Sequence, residues 1–100
     1  MLDIKLENLI TEVKREYQEI EADLANYNNW TREKSARFGE LAKIVNLVFS
    51  LEKIEKEIKE TYEMLKNEQD ESMLVAVKSE LKNLEEKKIN LIEKIKETFG

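Results

Sequence analysis

The chain has 100 residues, of which 41% are hydrophobic and 39% are charged, and it contains no cysteine, histidine or proline. These absences exclude disulfides, thiolate nucleophiles, zinc–thiolate sites and imidazole bases, and a chain of this length buries at most one compact core. The 17 Lys and Arg residues against 22 Asp and Glu give a net charge of −5, which does not favour non-specific attraction to nucleic acid or anionic membranes.

The first predicted element is a helix over about residues 2–27. Its apolar residues recur every three or four positions, as one helix face requires: Leu2, Leu6, Leu9, Val13, Tyr17, Ile20, Leu24 and Tyr27. The pattern stops at residues 26–29, where three asparagines favour turn conformations. We expect the first loop there.

The second predicted helix covers residues 32–67. Its apolar positions again follow helical spacing: Leu41, Val45, Val48, Leu51, Ile54, Ile58, Tyr62 and Leu65. Between Leu41 and Leu51, eight of eleven residues are apolar, which is more than one neighbouring helix would cover. We expect this stretch to be core between two other helices; the alternative is that part of it docks on another molecule.

The third predicted helix covers residues 71–98 and follows a polar loop in which Asp70 and Ser72 are rival N-caps. Its apolar positions are Leu74, Val77, Leu81, Leu84, Leu91, Ile95 and Phe99, with Lys88 in the missing position of the stripe. Three such segments predict an all-α fold, namely an elongated, antiparallel, coiled-coil-like three-helix bundle. Residues 1–100 are treated as a single helical domain.

No combination of residues in the sequence predicts an active site. The hydroxyl side chains have no histidine partner, no glycine-rich phosphate loop occurs, and the carboxylates lie on polar helix faces. The chain is therefore not expected to be an enzyme or to hold a metal or cofactor. No segment has the features of a membrane span or a signal peptide, so we expect a cytoplasmic protein without a membrane partner.

Three residues near the first loop are candidates for contact with a partner: Trp30, Arg32 and Arg37. Tryptophan and arginine are enriched at interface hot spots. The competing interpretation of Trp30, which we favour, is a hydrophobic staple that packs on Tyr27, Phe38 or Leu74. For the basic residues, ordinary surface charge is favoured over phosphate contact, because glutamates interleave with them.

The order of the segments resembles the N-terminal domain of bacterial class I peptide chain release factors. The resemblance runs through residues 6–10 (LENLI), 19–24 (EIEADL), 41–45 (LAKIV), 68–74 (EQDESML) and 79–86 (SELKNLEE). The most distinctive parts are Met73, the pair Glu80-Leu81, and Trp30 followed by Ala36. One departure is the first loop, which lacks the proline common in that family and has Glu33 where a proline often stands.

The resemblance implies a role in translation termination. The catalytic Gly-Gly-Gln loop and the codon-reading tripeptide of the family lie downstream of this domain, so the chain is expected to be a non-catalytic fragment of a longer protein. The implied partner is the ribosome, at the large-subunit stalk base with its protein and rRNA. DNA is not an expected partner, and a monomer is expected.

Different residues of the chain resemble the two codon-specific types of release factor. Met73 and Glu80-Leu81 resemble the UAA/UAG-reading factor, whereas Trp30 with Ala36 resembles the UAA/UGA-reading factor; the first is favoured. The alternative function is a stand-alone helical interaction or coiled-coil protein that pairs through the Leu41 to Leu51 stretch.

Overall fold

The computed structural model describes residues 3–100, which form three α-helices and no strand. The helices are α1 (Ile4–Leu24), α2 (Arg32–Asn67) and α3 (Glu71–Phe99), with a short 3₁₀ helix at Tyr27–Asn29. The all-α helical-bundle fold predicted from the periodicity is confirmed. No helix of this part of the chain combines the length and hydropathy needed to cross a bilayer.

The first helix is shorter than predicted. Asp3 caps its N-terminus by accepting a hydrogen bond from the Leu6 backbone N–H at 2.9 Å, and position 2 of the predicted helix lies outside the described residues. The helix ends at Leu24, whereas the apolar pattern extends to Tyr27. The cause is local: the Asn26 side chain accepts a hydrogen bond from the Asn28 N–H at 3.1 Å and caps a 3₁₀ turn instead of continuing the helix.

The chain divides into two compact units, Met1–Val48 and Phe49–Gly100, and each is described by itself. The prediction that residues 1–100 form a single domain stays a prediction.

In the first unit, α1 and the beginning of α2 run antiparallel. Glu16 and Asp23 of α1 form ion pairs with Arg37 and Lys34 of α2, so that residues later in α1 pair with residues earlier in α2. Seven apolar side chains of this unit are buried: Leu6, Ile10, Val13, Leu41, Ile44, Val45 and Val48. These positions also follow the helical repeat, and they form the hydrophobic core of the unit.

Within α1, one position of the predicted apolar stripe lies outside the buried face. The structure buries Ile10 and leaves Leu9 37% exposed, whereas the predicted stripe contained Leu9. Leu6, Ile10 and Val13 are spaced by four and three residues, just as Leu6, Leu9 and Val13 are by three and four. The spacing alone does not choose between the two neighbours.

In the second unit, α3 runs antiparallel to the later part of α2. The buried side chains are Leu51, Ile58, Thr61, Val77, Leu84 and Ile95. The polar member of this set, Thr61, donates a hydrogen bond from Oγ1 to the Glu57 carbonyl at 2.7 Å. Lys88, which interrupts the predicted stripe of α3, is largely buried along its stem and pairs its Nζ with Glu55 at 3.7 Å.

Most of the apolar stretch from Leu41 to Leu51 is buried, as expected. Its buried members are Leu41, Ile44, Val45, Val48 and Leu51. Ala42 and Leu47 are half-buried, and Phe49 has 56% of its surface exposed.

Asp70 is the N-cap of α3, which decides between the two rival caps. Its carboxylate accepts hydrogen bonds from the Ser72 backbone N–H at 2.9 Å, the Ser72 Oγ at 2.7 Å and the Met73 N–H at 3.4 Å. These hydrogen bonds, that of the Ser72 hydroxyl first, lower the pKa of Asp70 below its ordinary value.

The lowered pKa of Asp70 predicts a pH dependence of stability. Because the carboxylate is favoured in the folded state, its contribution is complete above the unfolded pKa of about 4 and is lost as the pH falls through the lower folded pKa. We expect Asp70→Asn, which keeps a capping side chain, to have a lower urea midpoint than the unmodified chain at pH 6. The two midpoints should converge toward pH 2.5. A difference that stays constant over this range would contradict a role for the Asp70 charge.

Candidate functional site

The turn between α1 and α2 exposes two aromatic side chains. Trp30 directly follows the 3₁₀ helix, and its backbone N–H donates to the Tyr27 carbonyl at 3.2 Å. Trp30 keeps 55% of its surface exposed and Tyr27 keeps 90%. Phe38, one of the neighbours expected for a Trp30 staple, instead stacks on Tyr17 with a ring-centroid distance of 4.7 Å. More than half of Trp30 is thus accessible to a partner.

The backbone of this turn is fixed by side-chain hydrogen bonds on both sides of Trp30. Thr31 caps α2 by accepting from the Lys34 backbone N–H at 3.1 Å. The Lys34 ammonium donates to the Asn29 carbonyl at 3.2 Å and pairs with Asp23 of α1 at 3.3 Å. Lys34 therefore stabilises the turn through contacts with other residues of the same chain.

Arg32 occupies the first position of α2, directly after the turn. Its side chain is exposed and makes no hydrogen bond or ion pair with any residue of the described range 3–100. A cation at a helix N-terminus is opposed by the helix dipole, so its position gives no benefit to the helix itself. Arg32 and Trp30 are two residues apart in sequence and stand together at the same end of α2.

Arg37 is held by contacts within the chain. Its Nε and Nη2 donate to the two carboxylate oxygens of Glu16 on α1 at 2.7 and 2.9 Å, and its Nη1 donates to Glu40 at 3.1 Å. The hydrogen bonds to Glu16 and Glu40 raise the pKa of Arg37, and the bond from Arg37 lowers that of Glu16. A bidentate pair of this kind fixes the orientation of both side chains.

The structure brings two of the three predicted contact residues together and separates the third. Trp30 and Arg32 lie at the turn, whereas Arg37 is five residues further along α2, about 140° around the helix axis from Arg32. The guanidinium of Arg37 faces α1, where Glu16 neutralises it. Its contact role stays a prediction.

A second feature, which was not predicted from the sequence, is a cleft between α2 and α3 within the second unit. We call it the basic cleft; its volume is about 490 Å³, and its walls include Lys53, Ile54, Glu57, Lys87, Leu91 and Lys94. The signal was present in the sequence, since residues 50, 53 and 57 share one face of α2 and residues 87, 90 and 94 share one face of α3. Only the folded structure shows that these two helix faces line the same cleft.

The described residues hold no group of three or more carboxylates placed to bind a metal ion together. The carboxylates that the structure brings to other charged groups, such as Glu16 and Glu55, pair with arginine or lysine instead.

Comparison with known proteins identifies the family. The sequence matches the PCRF domain over residues 13–100. No curated protein and no solved structure matches it. Because the match covers most of the sequence, including all of α2 and α3, the chain belongs to the family of PCRF domains, the non-catalytic helical domain of peptide chain release factors, which take part in translation termination.

Proposed function

We propose that this domain docks a release factor on the large ribosomal subunit, near the stalk base with its ribosomal protein and rRNA. The observation that carries the proposal is the exposed Trp30 beside Arg32 at one end of α2, where the Arg32 guanidinium has no partner among residues 3–100. The setting is the cytoplasm, where the domain acts as a monomer and needs no cofactor.

The chemistry of this turn suits an interface anchor. A tryptophan supplies a large contact area with little loss of conformational entropy, and a free guanidinium can donate to phosphates or carboxylates. The hydrogen bonds of Thr31 and Lys34 hold the turn in place before binding, so that less entropy is lost when the partner arrives.

The proposal gives Arg37 a different task from Trp30 and Arg32. Its bidentate bond to Glu16 links α1 to α2 directly below the turn, which keeps the two helices in register. Arg37 thereby positions the turn, and Trp30 and Arg32 make the contact.

The alternative function, a stand-alone protein that pairs with itself through the Leu41 to Leu51 stretch, is less well supported. Five of the apolar side chains in that stretch are already buried within the chain, which leaves little surface for a second copy. Light scattering separates the two, since the proposal expects a monomer at micromolar concentration and the alternative expects a dimer that forms with increasing concentration.

The proposed contact is tested by binding of the chain to purified bacterial large ribosomal subunits. We expect Trp30→Ala and Arg32→Glu each to weaken binding by about tenfold or more, since truncation of hot-spot residues costs at least 1 to 2 kcal/mol. Arg37→Glu should weaken binding less than Arg32→Glu and should lower the melting temperature, which is the signature of a positioning residue.

Lys43→Glu is the matched control for charge. Lys43 is an exposed residue of α2 in the same unit, and its reversal changes the net charge as much as Arg32→Glu does. It should leave subunit binding unchanged. If the variants at Trp30, Arg32 and Lys43 all bind the large subunit with the same affinity, the turn is excluded as the docking surface.

The codon specificity of the factor is a finer proposal. Met73 and the pair Glu80-Leu81 support the UAA/UAG-reading type. Reading the coding frame beyond Gly100 tests the assignment to a release factor, because a downstream Gly-Gly-Gln is expected. Release assays of the encoded factor on UAG and UGA codons then test the type. Activity on UGA without activity on UAG would refute the UAA/UAG assignment.

A further inference from the structure

The basic cleft carries a net positive charge, although the chain as a whole is negatively charged. Lys53 projects into it from α2, and Lys87 and Lys94 from α3, against a single carboxylate, that of Glu57. None of the three ammonium groups forms a hydrogen bond or ion pair with any residue in the range 3–100. The cleft therefore has a local charge of about +2 in a chain whose net charge is −5.

The spacing of the lysines indicates a polymeric anion. Lys87 and Lys94 are seven residues apart on α3, which places their Cα atoms about 10 Å apart along the helix axis. With Lys53 on the facing wall, the three lysines distribute positive charge along about two helical turns of the cleft. A chain of phosphates can offer one group to each lysine.

The remaining wall residues indicate how the polymer is recognised. Ile54 and Leu91 are half-buried and add apolar surface to the lining, and the polar Asn90 lies between the two lysines of α3 in sequence. No aromatic side chain lines the cleft, so stacking of single-stranded bases is not available. Contacts to the backbone of a structured, double-helical nucleic acid remain.

We propose that the basic cleft binds the phosphodiester backbone of structured RNA, independently of sequence. This inference rests on the proposed function, since RNA is the polyanion that a ribosome presents to a release factor. It adds a second contact surface, in a different unit from Trp30 and Arg32.

The test measures binding of the 100-residue chain to a fluorescein-labelled RNA hairpin of 20 nucleotides by fluorescence anisotropy. We expect the triple variant Lys53→Gln, Lys87→Gln, Lys94→Gln to bind the hairpin at least about tenfold more weakly at 50 mM salt. We also expect the slope of log affinity against log salt to decrease in size by about 2 to 3, which is about one for each lost phosphate contact.

A second triple variant, Lys59→Gln, Lys78→Gln, Lys82→Gln, is the matched control. These lysines are exposed, belong to the same two helices and lie outside the cleft, and both triple variants have the same net charge. The control should bind the hairpin as the unmodified chain does. Far-UV circular dichroism and thermal melting establish that both variants are folded.

Three outcomes would overturn the inference. They are a failure of the unmodified chain to bind the hairpin, an equal loss in both triple variants, and binding to vesicles with 30% phosphatidylserine but not to RNA.

Subunit binding separates this inference from the proposed function. If Trp30→Ala weakens subunit binding while the cleft variant alters neither subunit nor hairpin binding, the docking proposal stands and the cleft inference is wrong. If the hairpin binds through the cleft but large subunits do not bind the chain, the docking proposal is wrong.

Discussion

Leu41→Ala should lower the free energy of unfolding by about 3 to 4 kcal/mol, the largest effect we expect from a single side-chain truncation in the first unit. Leu41 has no exposed surface, and it lies at the start of the densest apolar stretch of α2. Removing its three outer carbons loses their transfer free energy and leaves a cavity that rigid helices close only in part. A domain of this size has about 5 to 15 kcal/mol in total, so the variant keeps only a fraction of it.

Urea unfolding followed by circular dichroism at 222 nm measures this loss. Leu9→Ala is the matched control, because it makes the same chemical change on α1 at a side chain that is 37% exposed. We expect the control to cost less than half as much as Leu41→Ala. If both substitutions cost the same, the core of the first unit is not where the structure places it.

The comparison of Leu9 with Ile10 also shows how far periodicity predicts this fold. The helical repeat identifies three helices and the approximate face that each one buries, because burial of an apolar stripe is what stabilises a helix in water. It does not distinguish adjacent apolar residues that are both in register with the repeat. Which of the two is buried depends on tertiary packing, which involves residues that are distant in the sequence.

The end of α1 shows a second limit. Tyr27 continues the apolar repeat, but Asn26 forms a local hydrogen bond with the backbone of Asn28 and the helix stops at Leu24. The three asparagines indicated a turn correctly. The residue at which the turn begins depends on one side-chain hydrogen bond, which composition does not reveal.

The candidate contact residues were partly predictable. Trp30 and Arg32 stand out in the sequence by type and by their place beside a loop, and both prove to be exposed. The involvement of Arg37 with Glu16 was not visible, since the two residues are 21 positions apart and meet only when α1 folds back on α2. The basic cleft is hidden for the same reason, because its lysines come from two helices.

The length of α2 leads to the second large prediction, for Asn46→Pro. Asn46 is an exposed residue in the interior of this 36-residue helix, so its side chain contributes little to packing. A proline there removes the backbone N–H that bonds to the carbonyl of residue 42, and its ring collides with that carbonyl. We expect the free energy of unfolding to fall by about 3 kcal/mol or more, measured by urea unfolding as above.

Two controls isolate the backbone effect of Asn46→Pro. Asn46→Ala removes the same side chain and should be neutral or stabilising by up to about 0.7 kcal/mol, because alanine has the higher helix propensity. Arg32→Pro introduces a proline at the first position of the same helix, where no intrahelical N–H bond is lost, and should change stability by no more than about 0.5 kcal/mol. If Asn46→Pro is as stable as Arg32→Pro, then α2 is not one continuous helix from Arg32 to Asn67. A single unbroken helix predicts a large loss of stability for Asn46→Pro and little change for Arg32→Pro.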